Sequence, residues 1–354
     1  MINERMFHFK MRIVILNFII WAIIGSSGGI GAEHKQYKIK NVSVLEHMGG
    51  RIDWSHKLDL IAFDKKGKDG LFDLYVMKPD GTDTVCLTCN QAGLPERHRG
   101  QPAWHPSGKY IVFQVENEHS KGTTNEQPSL GINNDLFLTK ADGKSYWKLT
   151  DNPRGYAALH PKFSYDGKKL LWSERYERGR GSRWGHWRLT IADFDEKNHR
   201  LTNLRTIQPG GARWYESHGF TPDDKKIYFS GNLNGGRGND IYCYELTNGN
   251  LVRLSTNRNV WDEMAELSPR GDRIAFISNR FAPRSSRWGF LTLVTEIYLM
   301  DPNGKNAQRV THLNDKNHSY VIGDLTWSPD GKTLLGVAFE RKAKMSVNVK
   351  VEFE

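Results

Sequence analysis

The sequence is poor in cysteine and in long apolar runs. It has three cysteines among 354 residues, too few for the disulfide frameworks of small exported proteins. A membrane-spanning helix needs about 20 consecutive apolar residues, and no run beyond residue 32 approaches that length. Heptad repeats and long amphipathic helical patterns are also missing. These absences exclude a coiled coil, argue against an all-α protein, and predict no membrane span in the mature chain.

Common fingerprints of nucleotide and hydrolase chemistry are missing as well. The chain contains no phosphate-binding loop and no dinucleotide-binding glycine pattern. Residues 25–29 match the G-x-S-x-G pattern of a hydrolase nucleophile, but they lie in a leader segment rather than between a strand and a helix. The absence of these motifs favours a non-enzymatic protein, but it does not exclude an enzyme.

What the sequence does contain is typical of a folded, β-rich protein. Hydrophobic residues make up 38% and charged residues 25% of the chain, which is unlike a disordered segment. The 34 glycines and 11% aromatic residues indicate many turns and much β-structure. The net charge of +10 predicts solubility. It does not indicate nucleic-acid binding, which we do not expect of an exported chain.

The first 32 residues have the layout of a secretory signal peptide. Basic residues precede an apolar run at residues 13–24, and small residues follow it. We expect cleavage after Gly28 or Ala32, which places the mature protein in the periplasm or outside the cell; an uncleaved signal anchor is the alternative. Residues 33–354 are then predicted to form a single domain.

A short turn signal recurs along this domain. Its clearest copy is Trp-Ser-Pro-Asp-Gly-Lys at residues 327–332, between two apolar runs. The aromatic or apolar anchors of the six copies are Trp54, Trp104, Phe163, Phe220, Leu267 and Trp327. Their spacings of 50, 59, 57, 47 and 60 residues are those of propeller blades. Pro, Asp and Gly at these positions predict a tight hairpin between the first two strands of each blade.

A second signal completes each repeat. An acidic residue begins a third strand, as in Asp73-Leu74-Tyr75, and a later Leu-Thr pair such as residues 87–88 marks a fourth. Each unit is therefore predicted to be a four-stranded antiparallel meander. The sixth unit is one strand short, whereas residues 36–45 alternate like a strand that has no partner. We expect this N-terminal strand to close the ring in the last blade.

Taken together, these motifs resemble the WD-like repeats of TolB-type β-propellers over about residues 36–354. The resemblance implies an all-β, six-bladed propeller, and it implies function only loosely. TolB carries an additional N-terminal α/β domain, for which this sequence has no room. The propeller domains of some peptidases are also similar, but their hydrolase domain is missing here.

Propeller geometry predicts where a ligand site would lie. The loops between second and third strands, and those that connect blades, gather on one face around the channel mouth and are irregular here. We expect polar residues near the start of each innermost strand to converge there. These candidates are His98, Arg99, Gln101, His160, Glu216, His218, Asp262, Glu263 and Asp324. Alternatively, each of them bonds to neighbouring strand ends.

The histidines suggest two more specific hypotheses. His98, His160 and His218 could bind a divalent metal or perform acid–base chemistry. His160 lies three residues before its anchor and His218 two before its own, in adjacent blades. We therefore predict that these two lie in one cluster.

A repeated tetrapeptide, Ser-Arg-Trp-Gly, occurs in the long loops of blades 3 and 5. Arg183 with Trp184, and Arg287 with Trp288, could grip a carboxylate or sulfate while the ring stacks on a sugar or side chain. The alternative is that both tryptophans pack inward at the start of the third strand.

The cysteine pair Cys86 and Cys89 lies in a strand-like context. It is interpreted as a local disulfide or as two free thiols, rather than as a zinc or redox motif.

Two functions remain for the whole chain. The first is an exported, non-catalytic scaffold that binds a protein or an acidic glycan on its long-loop face. The alternative is a metal-assisted lyase or hydrolase that acts on an acidic polysaccharide at the channel mouth, since some polyuronate lyases are propellers with a histidine-bound metal.

Overall fold

A computed structural model describes residues 37–45, 48–124, 126–128, 130–178, 184–233, 238–256, 259–283 and 292–354. The predicted signal peptide lies outside these residues. The described strands form six four-stranded antiparallel sheets, within a compact unit of residues 36–354. The one helical element in the same ranges is a 3-10 turn at Pro209–Gly211, and no described helix has the length and apolarity needed to cross a membrane.

Five blades follow the chain from the innermost strand outward. Blade 1 consists of β2 (Ile52–Trp54), β3 (Ile61–Lys66), β4 (Phe72–Met77) and β5 (Val85–Cys86). Blade 2 consists of β6 (Arg99–Trp104), β7 (Tyr110–Glu116), β8 (Asn134–Lys140) and β9 (Tyr146–Lys148). Blade 3 consists of β10 (Ala157–Phe163), β11 (Lys169–Glu177), β12 (His186–Asp195) and β13 (Arg200–Ile207).

The remaining blades repeat this arrangement. Blade 4 consists of β14 (Tyr215–Phe220), β15 (Lys226–Gly231), β16 (Asp240–Glu245) and β17 (Leu251–Arg253). Blade 5 consists of β18 (Asp262–Leu267), β19 (Ile274–Ser278), β20 (Glu296–Met300) and β21 (Gln308–Arg309). Blade 6 consists of β22 (Tyr320–Trp327), β23 (Thr333–Glu340), β24 (Met345–Phe353) and the N-terminal β1 (Ile39–Leu45).

The ring closes as the sequence predicts. Strand β1 pairs antiparallel with β24, from Ile39 opposite Phe353 to Leu45 opposite Asn348. The first strand therefore becomes the outer strand of the last blade. This pairing covers an edge that would otherwise remain open to other strands.

Neighbouring blades are held together by apolar clusters. Each of the six buried clusters combines residues from two adjacent blades. Trp187 of blade 3, for example, packs with Tyr215 and Phe229 of blade 4 and is fully buried. The apolar core thus lies between the blades, which leaves the ring axis to polar side chains.

A repeated polar contact joins the third and fourth strands of four blades, and we call it the acid–hydroxyl clasp. In blade 1, the Thr88 hydroxyl donates to Asp73 over 2.7 Å and accepts from the Leu74 N–H over 2.9 Å. The equivalent acid and hydroxyl pairs are Asp135 with Thr150, Asp240 with Ser255, and Glu296 with Thr311. This contact explains why the sequence repeats an acid at the start of the third strand and Leu-Thr just after the fourth.

The innermost strands of blades 2 to 6 each contain a register shift. In three of these strands one residue has a left-handed backbone: Gln101 (φ 52°), His160 (φ 50°) and Met264 (φ 54°). A bulge of this kind bends the strand and redirects a side chain. The shifts here occur where the strands line the channel.

Candidate functional site

The axial channel contains a small cavity with walls from all six blades. Its polar lining consists of Arg51, Gln101, His160, Lys162, Ser217, His218, Glu266 and Asp324. The cavity volume is about 30 Å³, and a water-sized group needs about 10–15 Å³. The cavity therefore accommodates about two such groups and is too small for a sugar ring.

In one wall of the cavity, an ion pair joins blade 1 to blade 6 and lies close to His160 of blade 3. Arg51 Nη1 donates to Asp324 Oδ1 over 2.8 Å, and His160 Nδ1 lies 3.8 Å from the same oxygen. On the other side of the ring, His160 Nε2 lies 2.7 Å from Glu216 Oε1, off the line of its N–H bond. Burial lowers the pKa of His160 to about 3, with Arg51 adding to this effect and Asp324 opposing it. The imidazole is therefore neutral at pH 7.

Behind His160, two buried glutamates from blades 4 and 5 contact each other. Glu216 and Glu263 share a side-chain hydrogen bond. Trp261 Nε1 and Asn239 Nδ2 donate to the two oxygens of Glu263 over 2.7 and 2.6 Å. Burial raises the pKa of both glutamates, and the neighbouring Glu216 charge raises that of Glu263 further. The pair consequently holds a proton where isolated carboxylates would not.

A lysine crosses the channel at a second level. Lys162 of blade 3 lies 3.1 Å from Asp53 Oδ1 of blade 1 and 3.2 Å from Glu266 Oε2 of blade 5. The two carboxylates raise the pKa of Lys162, although burial opposes them. Burial, opposed by Lys162, raises the pKa of Glu266 to about 7. This cross-channel bridge links three alternate blades through one ammonium group.

The remaining predicted channel residues divide into two groups. His218 lines the same cavity as His160, and its Nε2 lies 2.7 Å from the Ser230 hydroxyl. Burial places the pKa of His218 well below 6.5. Gln101 also lines the cavity, and its Oε1 accepts a hydrogen bond from the backbone N–H of His160 over 2.9 Å. The structure thus places His160 and His218 in one cluster, while a ligand-binding role for them stays a prediction.

Three candidates at the strand starts bond to the framework instead. The His98 Nδ1 accepts the Phe72 N–H over 3.0 Å. Arg99 donates to Asp73 over 2.7 Å within the blade 1 clasp. Asp262, which is fully buried, accepts from Arg280 over 2.9 Å. Their positions match the alternative interpretation, in which such residues satisfy neighbouring strand ends.

The predicted three-histidine metal set is not assembled in the described part of the chain, because His98 does not line the cavity that His160 and His218 share. Within those ranges, one group of three His, Cys, Asp or Glu ligand atoms lies within 4.8 Å: Asp73, Cys86 and Cys89. These two cysteines form a disulfide, and Asp73 is held by Thr88 and Arg99. This group is therefore part of the framework.

The loop candidates are only partly described. Trp184 is half-buried, and its ring packs edge-on against Trp214 with centroids 6.0 Å apart. Its carbonyl accepts from Arg175 Nε and from Trp187 Nε1 over 3.0 and 2.7 Å. Arg183, Arg287 and Trp288 lie outside the described residues.

Four charged residues of the cavity and the cross-channel bridge were not among the sequence candidates: Arg51, Asp53, Lys162 and Glu266. The repeat register could have identified them. Asp53, Lys162 and Glu266 each come one residue before an anchor, and Arg51 comes three before, as His160 does. Charged residues at these positions in several repeats indicate a ring of side chains that face the central channel.

Two solved TolB structures are similar to this chain. TolB from Acinetobacter baumannii has a TM-score of 0.58 at 16% identity, covering 84% of this chain and 65% of that protein. This chain therefore matches slightly less than two thirds of that TolB. A putative TolB from Agrobacterium tumefaciens has a TM-score of 0.56 at 17% identity, covering 86% of this chain and 89% of that one.

An oligogalacturonate lyase in complex with manganese is similar to a lesser degree. Its TM-score is 0.51 at 13% identity, covering 86% of this chain and 77% of the lyase. No family model matches the sequence, and no curated protein does. At these identities the solved structures establish the fold and leave the activity open. The chain is thus a six-bladed β-propeller with the fold of the TolB type.

Proposed function

We propose that this protein is an exported, non-catalytic scaffold that binds a partner protein on its long-loop face. The observation that carries the proposal is an aromatic and arginine surface on this face, where blades 3 and 4 meet. Tyr176, Trp184 and Trp214 are half-buried there, and Arg178 and Arg213 are exposed. Aromatic and arginine side chains are the residue types that most often dominate binding energy at protein interfaces.

The surface rests on a rigid base. The Trp214 ring packs against the ring of the fully buried Trp187, with centroids 4.8 Å apart. The backbone N–H of Trp187 donates to the Arg213 carbonyl over 2.9 Å. Side chains held in this way lose little conformational entropy on binding, which favours affinity. The TolB-type fold is consistent with a binding role.

The channel offers less support for the lyase alternative. The cavity beside His160 holds about 30 Å³, so an acidic sugar would have to react outside it. Glu216 and Glu263 lie near His160 and would repel a polyuronate when ionised. Metal analysis of the purified protein, together with an assay on polygalacturonate, tests this alternative.

Site-specific photo-crosslinking tests the scaffold. A photoreactive residue at position 213 is expected to form a defined protein adduct in cells of the source organism, identified by mass spectrometry. The matched control is position 168, an exposed lysine on the opposite face, where no such adduct is expected. Arg178→Ala should weaken the adduct, and because Arg178 is exposed it should change Tm by no more than the control Leu204→Ala.

Other outcomes discriminate between the functions. Binding of the purified protein to polygalacturonate, weakened by Arg213→Ala, would favour an acidic glycan over a protein. Metal-dependent cleavage of that polymer would contradict a non-catalytic scaffold. Equal labelling at positions 213 and 168 would remove the case for a specific surface.

A further inference from the structure

Three buried polar atoms in the channel wall have no hydrogen-bond partner among the described residues. One is His160 Nε2, which lies 2.7 Å from Glu216 Oε1 but off the line of its N–H bond. The other two are Asp324 Oδ2 and Gln101 Nε2, in side chains that are 9% and 4% exposed. Both residues line the axial cavity. Since buried polar groups in folded proteins are nearly always hydrogen-bonded, the contents of the cavity must supply one donor and one acceptor.

The charges around the cavity are unbalanced. The carboxyl groups that line it or contact its lining are Asp53, Asp64, Glu216, Glu266 and Asp324, and Glu263 is hydrogen-bonded to Glu216 behind them. The cations in the same region are Arg51 and Lys162, and the histidines are His160, His218 and His56. Burial raises the pKa of Asp64 and of Glu266 to about 7. An additional positive charge would be stabilised by this surplus of carboxyl groups.

The position of His160 adds a second acceptor. Glu216 lies beside Nε2, which favours the ring proton on that nitrogen and leaves Nδ1 as an acceptor. Nδ1 faces Asp324 Oδ1 across 3.8 Å, which is too long for a direct hydrogen bond. A group with several N–H or O–H protons could donate to both His160 Nδ1 and the Asp324 carboxylate.

The size and the donor set of the cavity restrict the cation. A volume of about 30 Å³ admits an ammonium group and one water, whereas a guanidinium plane or a sugar ring is too large. In the part of the chain that the structure describes, no three ligand atoms of His, Asp, Glu or Cys gather at this cavity. The walls therefore suit a hydrogen-bonded cation better than a coordinated metal ion.

We propose that the channel cavity binds a primary ammonium group, carried either by a small free amine or by the tip of a partner's lysine side chain. Asp324 and His160 accept from the ammonium group. A water in the second position accepts from Gln101 Nε2. The proposal does not depend on the partner surface at blades 3 and 4.

Methylammonium chloride is the first probe, applied to the purified protein at constant ionic strength. We expect it to raise Tm and to shift the His160 and His218 signals in nitrogen-15 histidine spectra. Tetramethylammonium has the same charge but no N–H donors, and methanol has no charge, so neither should reproduce the shifts. An equal response to tetramethylammonium, or a response to manganese or calcium alone, would overturn the proposal.

Substitutions in the wall provide a separate test. Asp324→Asn should weaken methylammonium binding about tenfold or more, because a charge-assisted hydrogen bond is lost. The matched control, Asp193→Asn in β12, should leave binding unchanged. If Asp324→Asn does not fold, Met264→Lys offers a second route, since Met264 lines the cavity. Its own ammonium should suppress the methylammonium response, which Met264→Leu should retain; a full response in Met264→Lys would contradict the assignment.

The two sources of the ammonium group differ in a third measurement. If the ligand is a partner's lysine, Nα-acetyl-lysinamide should bind more tightly than methylammonium. If it is a free small amine, the order should reverse. Binding of neither compound would refute an ammonium site from either source.

Discussion

The acid–hydroxyl clasp of blade 5 and the channel wall both bury carboxylates, but they satisfy them to different degrees. In the blade 5 clasp, Glu296 accepts from Thr311, from Arg309 over 2.9 Å and from the Asn314 N–H over 2.8 Å. Around the channel, six carboxyl groups share two cations, and the Asp324 Oδ2 has no partner among the described residues. A satisfied carboxylate holds two strands together, whereas an incompletely satisfied one remains available to a ligand.

The clasps also differ among themselves in a way that sharpens the comparison. In blades 2, 4 and 5 the cation precedes the hydroxyl by two residues in the fourth strand, as Arg309 precedes Thr311. In blade 1 that position is Cys86, which is bonded to Cys89, and Arg99 from the next blade supplies the cation. In blade 1, the disulfide and the arginine of the neighbouring blade thus take the place of the ion pair that the other clasps form within one blade.

The largest effect is expected from Glu296→Ala. It leaves Arg309, Thr311 and a backbone N–H without their buried acceptor, which should lower the free energy of unfolding by about 3–5 kcal/mol. Urea denaturation measures this change. The exposed ion pair of Glu196 with Lys109 is the control, and Glu196→Ala should cost about 0–1 kcal/mol. Equal losses in the two variants would show that the clasp contributes no more than a surface pair.

An intermediate effect is expected from Cys86→Ser with Cys89→Ser. The disulfide closes a loop of four residues, counted from its separation of three, and loop-closure entropy gives about 2 kcal/mol for that length. The denaturation midpoint under oxidising conditions measures the loss. Cys243→Ser changes the unpaired cysteine and serves as the control. A double variant as stable as the oxidised protein would show that the disulfide contributes nothing to the stability of blade 1.

The smallest effect at neutral pH is expected from Glu266→Gln in the channel. Burial raises the pKa of Glu266 from 4.5 to about 7, so the folded state binds more protons than the unfolded state between these values. The contribution of Glu266 to stability is therefore greatest below pH 4.5 and is lost as the pH rises to about 7. The difference in unfolding free energy between wild type and Glu266→Gln should fall across that window.

The exposed Glu96 provides the comparison for this pH series. Glu96→Gln removes the same carboxyl group at an exposed position, and its difference from wild type is measured over the same pH range. If Glu266→Gln behaves in the same way, the channel carboxylates are as well satisfied as those of the clasps, and the contrast between the two regions disappears.

The sequence predicted the fold better than the site because the fold repeats. Six anchors and four acid–hydroxyl signals constrain one another, and residues 36–45 fit the single vacant strand. The site residues, in contrast, are not repeated at equivalent positions of the six blades. Their partners therefore depend on how side chains from different blades pack across the axis. His98 and His160 both occur near the start of an innermost strand, yet His98 bonds to the Phe72 N–H whereas the bulge directs His160 into the cavity.

The pairing of β1 with β24 also determines how the ring responds to force. The two strands are antiparallel, so Ile39 lies opposite Phe353 and the Glu354 N–H donates to the Lys38 carbonyl over 3.2 Å. Tension between the N-terminal end of β1 and the C-terminus therefore loads one pair of backbone hydrogen bonds at a time, as a zip opens, rather than shearing the whole ladder at once. Blade 6 is consequently the point at which a pulled molecule would open first, while the apolar clusters between the other blades remain intact.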